Sequence, residues 1–246
     1  MKRIIRTEGI CLRVRDIRES SKLVTFFCPG EARLTGIARG ARRPKSRFGA
    51  ALDQFSVSRL IYHWHQERTV FTISDAELVR AHPGIAAVPA RFLAAEQVAE
   101  FLLRVLKPHD HNPRLYRLAI IYLDALDRAD AGYSALVGSF LLKAAAFLGF
   151  KPELERCLRC SKERGHAQDW SFDPVHGGMV CPDCGTGGSA AKLEPGQADE
   201  LGRLLTTPVA GLAGAELAPG RLGLVLAFVT HHIDPLLLNS FNWQGL

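Results

Sequence analysis

Four cysteines constrain this chain more than any other feature. They stand as two matched pairs, Cys157-Leu158-Arg159-Cys160 and Cys181-Pro182-Asp183-Cys184, with twenty residues between them. A CxxC turn sets two sulfurs on one tight loop, and two such turns supply the four thiolates of a tetrahedral zinc site. The spacing falls within the ribbon pattern of two CxxC pairs about 15–20 residues apart. Four thiolates fill the shell and leave no position for water, so the centre is read as structural, one zinc per chain. Two disulfides, a redox CxxC and an iron–sulfur cluster are the competing readings. They call in turn for an oxidising compartment, a thioredoxin-like context and other spacings. The intervening residues suit a ribbon: Trp170 and Phe172 in a strand-like run, a turn over residues 173–178, and Met179-Val180 leading into the second pair. His166 and His176 lie in the same loop and are read as polar loop residues.

Charge is spread unevenly. Residues 1–80 hold 16 Lys and Arg against 8 Asp and Glu, whereas the other 166 residues hold 15 against 17. The net charge of +6 therefore belongs to the first third of the chain, and such asymmetry points to a polyanion, nucleic acid before membrane surface. The opening Met1-Lys2-Arg3-Ile4-Ile5-Arg6 has no apolar h-region, and the longest apolar stretch, residues 222–229, is too short to span a bilayer. A cytoplasmic protein with no membrane partner is expected. Cys11 and Cys28 lack CxxC partners and read as reduced, packed thiols.

Within residues 1–80 the pattern is β. Ile10, Leu12 and Val14 alternate with Cys11, Arg13 and Arg15, and further runs cover residues 22–28, 32–39, 55–62 and 69–73. Five short strands predict a small barrel, OB-fold or SH3-like. Between the third and fourth runs, residues 39–49 contain five cations and no acid: Arg39, Arg42, Arg43, Lys45 and Arg47. This reads as a mobile loop that grips phosphates, with Phe48 available to stack on a base. Tyr62 and Trp64 share a strand face with Leu60; that face is either a base-stacking platform or core. His63 and His65 read as surface histidines.

After His82-Pro83-Gly84 the pattern turns helical. One helix carries Phe92, Ala95, Ala99, Leu102 and Leu106; the next begins at Asn112-Pro113 and buries Leu115, Leu118, Ala119, Tyr122 and Leu126. A third, over about residues 134–148, is apolar nearly all round and should be central. Helices are expected again over residues 194–205 and 219–234. The expected organisation is α+β: a five-stranded barrel over 1–80, a helical domain over 81–156 and 185–246, and a zinc-binding insertion over 157–184, the metal fixing an otherwise coreless loop. No Walker loop, GxSxG or HExxH is present, and a non-enzyme is expected.

Taken in this order and at this length, these parts resemble the bacterial recombination-repair family RecO. The resemblance is carried by Gly40-Ala41-Arg42-Arg43-Pro44-Lys45-Ser46-Arg47 running on to Leu52-Asp53-Gln54-Phe55, and by Gly177-Gly178-Met179-Val180-Cys181-Pro182-Asp183-Cys184. The opening Glu8-Gly9-Ile10, with Lys22-Leu23-Val24 and Phe27, is similar to the family's first hairpin. The resemblance implies an OB-fold barrel and a DNA repair mediator associated with the nucleoid. Such a protein binds single- and double-stranded DNA, anneals complementary strands and partners with RecR. It engages single-strand-binding protein and helps load RecA, which it meets indirectly. Arg114 and Arg117 are candidates for secondary contacts to DNA or to an acidic protein tail, against the plain reading of a charged helix flank. Two other classes compete: a zinc-ribbon RNA-binding factor, which would prefer RNA through 2′-hydroxyls, and a metal-dependent hydrolase, which would need an open metal site.

Overall fold

Five strands open the chain: β1 (Lys2–Ile17), β2 (Ser21–Cys28), β3 (Ala32–Ala38), β4 (Val57–His65) and β5 (Val70–Arg80). The computed structural model describes residues 2–108, 110–165, 169–185, 187–217 and 220–233. The strands close into a barrel in the order β1-β2-β3-β5-β4, every pair antiparallel except β3 with β5. This is the OB-type barrel, and closure leaves no open sheet edge. Closure depends on β1 serving two partners. Its first half pairs with β4 from Lys2 to Ile10, its second with β2 from Ile10 to Ile17, and the register shifts between Cys11 and Arg13. At the crossover the backbones come so near that a Cβ on Gly9 would lie 2.8 Å from Cys28 Sγ and 3.1 Å from Phe26 Cβ. Only glycine fits there.

The expected alternation appears in β3, where Ala32, Leu34 and Ala38 are buried and Arg33 is exposed. The interior holds Cys11, Val24, Phe26, Cys28, Leu34, Leu60, Tyr62 and Ile73. Burial pushes both thiols far above the usual cysteine range, as befits packed, unreactive groups. A short 3₁₀ turn, Gly49–Leu52, plugs one part of the barrel with Phe48, Ala51 and Leu52.

The barrel does not stand alone. The chain divides into two compact units, Met1–Asp127 and Arg128–Leu246, and the first includes α1 (Pro83–Ala87), α2 (Pro89–Val105) and nearly all of α3 (Pro113–Arg128). The change from strand to helix thus falls at residues 80–83, while the compact unit continues to Asp127. Phe27 meets Tyr116 edge-on at 5.3 Å, and Phe55 meets Phe92 at 5.6 Å. His82 is buried between the Phe55 carbonyl (2.7 Å) and the Asp124 carboxylate (3.0 Å). Asn112 caps α3 as expected, its Oδ1 accepting from Leu115 N at 3.0 Å.

The second unit contains α4 (Tyr133–Phe147), α5 (Gln197–Thr206), α6 (Arg221–His232) and a small sheet. Every residue of α4 from Ala135 to Leu142 is buried, which confirms it as the central helix. The expected ends of α6 at Pro219 and Asp234 lie outside the described residues. The sheet has the order β6-β8-β7-β9, from β6 (Glu153–Cys157), β7 (Ser171–Asp173), β8 (Gly178–Val180) and β9 (Ala191–Lys192). It buries Leu154, Trp170, Phe172, Met179 and Val180, and Phe172 meets Phe228 of α6 at 6.2 Å. The expectation of a coreless insertion is therefore corrected: this segment carries its own apolar residues and packs them on a helix.

Lys143 ties α4 to the end of α5. Its Nζ donates to the carbonyls of Leu204 (2.6 Å) and Leu205 (2.8 Å) and to Ser139 Oγ (3.0 Å). These carbonyls end a helix and have no intrahelical donor. Burial pushes the ammonium down to about 8. The unfolded chain then binds more protons than the folded one from about pH 8 to the ordinary lysine range. This group's contribution to stability therefore rises with pH across that window. Lys143→Ala is expected to cost about 1–2 kcal/mol at neutral pH, the lost charged donor outweighing relief of the buried charge. A lower urea midpoint at unchanged slope is the reading to look for.

Candidate metal centre and nucleic-acid interface

The four sulfurs of Cys157, Cys160, Cys181 and Cys184 all lie within 4.8 Å of one another, and Cys160 and Cys181 are 3.6 Å apart. A tetrahedron with metal–sulfur bonds of about 2.3 Å has edges of about 3.8 Å, so the cluster fits an ion at its centre. Local structure explains the convergence. Cys157 ends β6 and Cys181 follows β8, and these strands are parallel neighbours. Their approach needs Gly178, where a Cβ would stand 2.7 Å from the Glu153 carbonyl. Ser161 turns the first pair back with a φ of 59°, and Leu158 N donates to the Met179 carbonyl at 2.8 Å. Cys157 and Cys181 are buried, Cys184 is half-buried and Cys160 is exposed.

The electrostatics are those of thiols that need a cation. Burial raises the Cys157 pKa, but N–H groups of Cys181, Cys160 and Arg159 overcome it and hold the thiol down to about 6. The Arg159 and Cys181 amides each lie 3.4 Å from its sulfur. Cys184 is pushed up to about 12 as it shares protons with Cys160 and Cys181. One sulfur ionises readily while Cys160 and Cys184 resist, so four thiolates require a central positive charge. With four ligands present the shell is closed, which disfavours the open site a hydrolase would need.

Sequence reasoning missed the residue that shapes this turn. Asp173 is buried and its carboxylate accepts from Val175 N and His176 N (both 3.0 Å), His176 Nδ1 (2.8 Å) and Ser189 Oγ (2.6 Å). Burial raises its pKa, but these donors, Ser189 first, hold it at about 2. The Asp-Pro pair signalled a turn but not a buried charge. His176 is thus a partner of Asp173, and His166 lies outside the described residues.

In the first unit, Arg39, Arg42, Arg43, Lys45 and Arg47 are all exposed. The segment is a run of turns rather than an irregular strand of chain: Arg43 N donates to the Gly40 carbonyl and Ser46 N to that of Arg43. It is tied down at both ends. Arg42 pairs with Asp16 at 3.1 Å and reaches the carbonyls of Arg18 (3.3 Å) and Glu19 (3.4 Å), which fixes it to the β1–β2 turn. Phe48 is 3% exposed in the barrel core, and the Arg47 guanidinium lies 5.3 Å from its ring centre. Among the described residues, Arg39, Arg43 and Lys45 have no acidic partner. The Arg42 contacts bring exposed Arg18 beside the loop, and the same β1–β2 hairpin carries exposed Arg15 and half-buried Lys22. Their scatter along β1 and β2 hid them from a search for runs.

Two aromatic assignments are corrected. Phe48 cannot stack on a base because the 3₁₀ turn folds it inward, and Tyr62 is fully buried. The face shared by Leu60, Tyr62 and Trp64 is the core face. Trp64 is half-buried against that core and keeps part of its ring at the surface. Arg114 and Arg117 are exposed on α3 without described partners.

The first unit is thus a closed OB-type barrel with a largely unpaired cationic loop, and the second is a helical unit that gathers four cysteines able to hold a metal ion. The comparisons with known proteins agree. Residues 1–82 match the family model "Recombination protein O N terminal", and residues 88–242 match "Recombination protein O C terminal". The DNA repair protein RecO of Anaeromyxobacter sp. (strain Fw109-5) is 31% identical over 93% of this chain and 91% of its own. That of Rubrobacter xylanophilus is 32% identical over 89% of this chain and 85% of its own. That of Thermoanaerobacter sp. (strain X514) is 31% identical over 74% of this chain and 71% of its own. The chain belongs to the RecO family of DNA repair and recombination proteins. No helix among the described residues is long and apolar enough to cross a membrane.

Proposed function

We propose that this chain is a recombination mediator. It binds single- and double-stranded DNA and anneals complementary strands. With RecR it loads RecA onto DNA coated by single-strand-binding protein. It carries out no covalent chemistry of its own. The metal is zinc, one per chain, held by Cys157, Cys160, Cys181 and Cys184 in a structural role. Zinc suits four thiolates in a closed tetrahedral shell.

The observation that carries the reading is the turn segment 39–47 on a closed barrel, with four exposed cations, Arg39, Arg43, Lys45 and Arg47, that have no acidic partner among the described residues. Such groups neutralise phosphates without reading sequence, and a sequence-blind grip leaves bases available to pair. By contrast, the groove of about 400 Å³ between β1, β4 and β5 lines its two arginines with Glu8, Asp75 and Glu77, and Arg59 pairs with Glu77 at 3.2 Å. Its three acids outnumber its two cations.

The test uses the full-length protein and fluorescent strands. Binding to single-stranded and duplex DNA, steepening as salt falls, is expected, together with faster annealing of complementary oligonucleotides. In competition, matched RNA should displace DNA no better than DNA displaces itself. A strong preference for RNA would replace this reading with an RNA-binding one. An absence of binding in dilute buffer would end it.

A further inference from the structure

The four cysteines are not held equally. The first pair is built into the sheet: Cys157 closes β6, its amide donates to the Lys162 carbonyl at 2.9 Å, and Ser161 N returns to the Cys157 carbonyl at 2.9 Å. Cys181 is fixed by following β8 and is buried. Cys184 has less support. It sits at the half-buried end of a three-residue turn, Pro182–Cys184, whose own backbone contacts are Cys184 N to the Cys181 carbonyl and Gly185 N to the Pro182 carbonyl. The next strand, β9, has only two residues.

One side chain bridges this gap. Arg159, inside the first CxxC turn, extends its guanidinium across the centre to the backbone after the second. Nη1 donates to the carbonyls of Cys184 (2.7 Å) and Gly185 (3.4 Å), and Nη2 donates to that of Gly187 (3.0 Å). Its own amide meanwhile faces Cys157 Sγ. Arg159 thus touches the first knuckle with its backbone and clasps the second with its side chain. A second cross-knuckle contact, Lys162 to Asp183 at 2.8 Å, joins two exposed side chains and does not reach the Cys184 backbone. Four thiolates around a divalent ion also leave a doubly negative centre, beside which the Arg159 cation is favourably placed.

We propose that Arg159 is the latch of the metal centre: by clasping the carbonyls of Cys184, Gly185 and Gly187 it holds the fourth thiolate on the ion and sets how slowly the metal is lost. This rests on the reading of the four cysteines as a metal site. Loss then begins at Cys184, because Cys157 and Cys181 are buried beside strands, and Cys160, although exposed, sits in a turn closed onto Cys157 by Ser161 N and by the Lys162 carbonyl. The planar fork of Arg can meet two or three carbonyls at once, whereas a Lys ammonium on its single stem meets fewer, so the position is not indifferent to the kind of cation.

The test follows zinc released from the metal-loaded full-length protein into excess chromogenic chelator. Wild type is compared with Arg159→Ala, Arg159→Lys and Lys162→Ala. Arg159→Ala should release zinc at least tenfold faster, about 1.4 kcal/mol off the barrier. Arg159→Lys should fall between it and wild type, and Lys162→Ala should stay within about twofold of wild type. The cobalt-loaded Arg159→Ala protein should keep the charge-transfer bands of four thiolates, because retention changes and the ligand set does not. Release from Arg159→Ala within twofold of wild type would overturn the latch, as would equal acceleration by Lys162→Ala. If Arg159→Ala does not fold, Arg159→Gln and Arg159→Lys carry the comparison, with the glutamine variant expected to be the faster. Wild-type protein purified without stoichiometric metal would instead sink the metal-site reading itself, before any variant is compared.

Discussion

Cys157→Ser is expected to abolish stoichiometric metal binding and to unfold the ribbon sheet of the second unit. This sulfur is the most deeply built of the four: it is 2% exposed, ends β6 and accepts two backbone amides. A serine hydroxyl does not ionise near neutral pH and is a poor fourth ligand. Structural zinc sites contribute apparent binding energies of about 10–16 kcal/mol, so full loss is comparable to the whole stability margin of an ordinary domain, about 5–15 kcal/mol. The apolar contacts of Trp170, Phe172 and Met179 offset some of this, so the rest of the second unit is expected to keep helical structure. Circular dichroism melts with metal analysis check the first part, and limited proteolysis checks the second, with new cuts expected between residues 153 and 192. Acid should act in the same direction. In the metal-free chain, a thiol held at about 6 when folded, against an ordinary value of 9.0, contributes stability above its unfolded value. That contribution is lost as pH falls through about 6. A serine variant that melts within two or three degrees of wild type would show the metal to be dispensable.

The two kinds of feature in this chain differ in how plainly the sequence shows them. The metal cluster is legible because ligand chemistry fixes both residue type and spacing: two CxxC turns at ribbon distance have few other uses. Helix ends are legible where caps declare them, as at Asn112-Pro113. The five strands are legible as alternation, but alternation divides a strand into two faces without saying which one turns inward. Tyr62 shows the consequence. Its hydroxyl and its neighbour Trp64 suit a base-stacking surface, yet closure of the barrel puts that face inside. Phe48 shows another. It stands among five cations in sequence, but Gly49–Leu52 folds as a 3₁₀ turn whose apolar side, Ala51 and Leu52, pulls Phe48 with it into the core. Arg42 shows a third: it looks like its cationic neighbours, and only the folded hairpin reveals that Asp16 and two carbonyls already engage it.

Those distinctions decide how the proposed DNA interface should be tested. Replacing Arg39, Arg43, Lys45 and Arg47 together with Ala, while keeping Arg42 and Phe48, is expected to weaken binding by roughly one to two orders of magnitude near 0.1 M salt. The plot of log affinity against log salt should lose about one unit of slope for each phosphate contact removed. The loss should be similar for unrelated sequences, because phosphate contacts carry no base information. The fold should survive, since these four side chains are exposed and make no described ion pair, so an unchanged melting curve separates lost contacts from lost structure. Arg42→Ala is the informative companion. It removes one charge but also releases the segment from the β1–β2 turn, so its effect should exceed a single contact's share while its slope falls by about one unit or less. Asp16→Ala frees Arg42 without removing a cation. If charge alone mattered it would tighten binding; if the tether matters it loosens binding despite the more positive surface. A quadruple variant with the wild-type salt slope would move the interface off this loop, to Arg114 and Arg117 of α3 or to Arg15, Arg18 and Lys22 of the neighbouring hairpin.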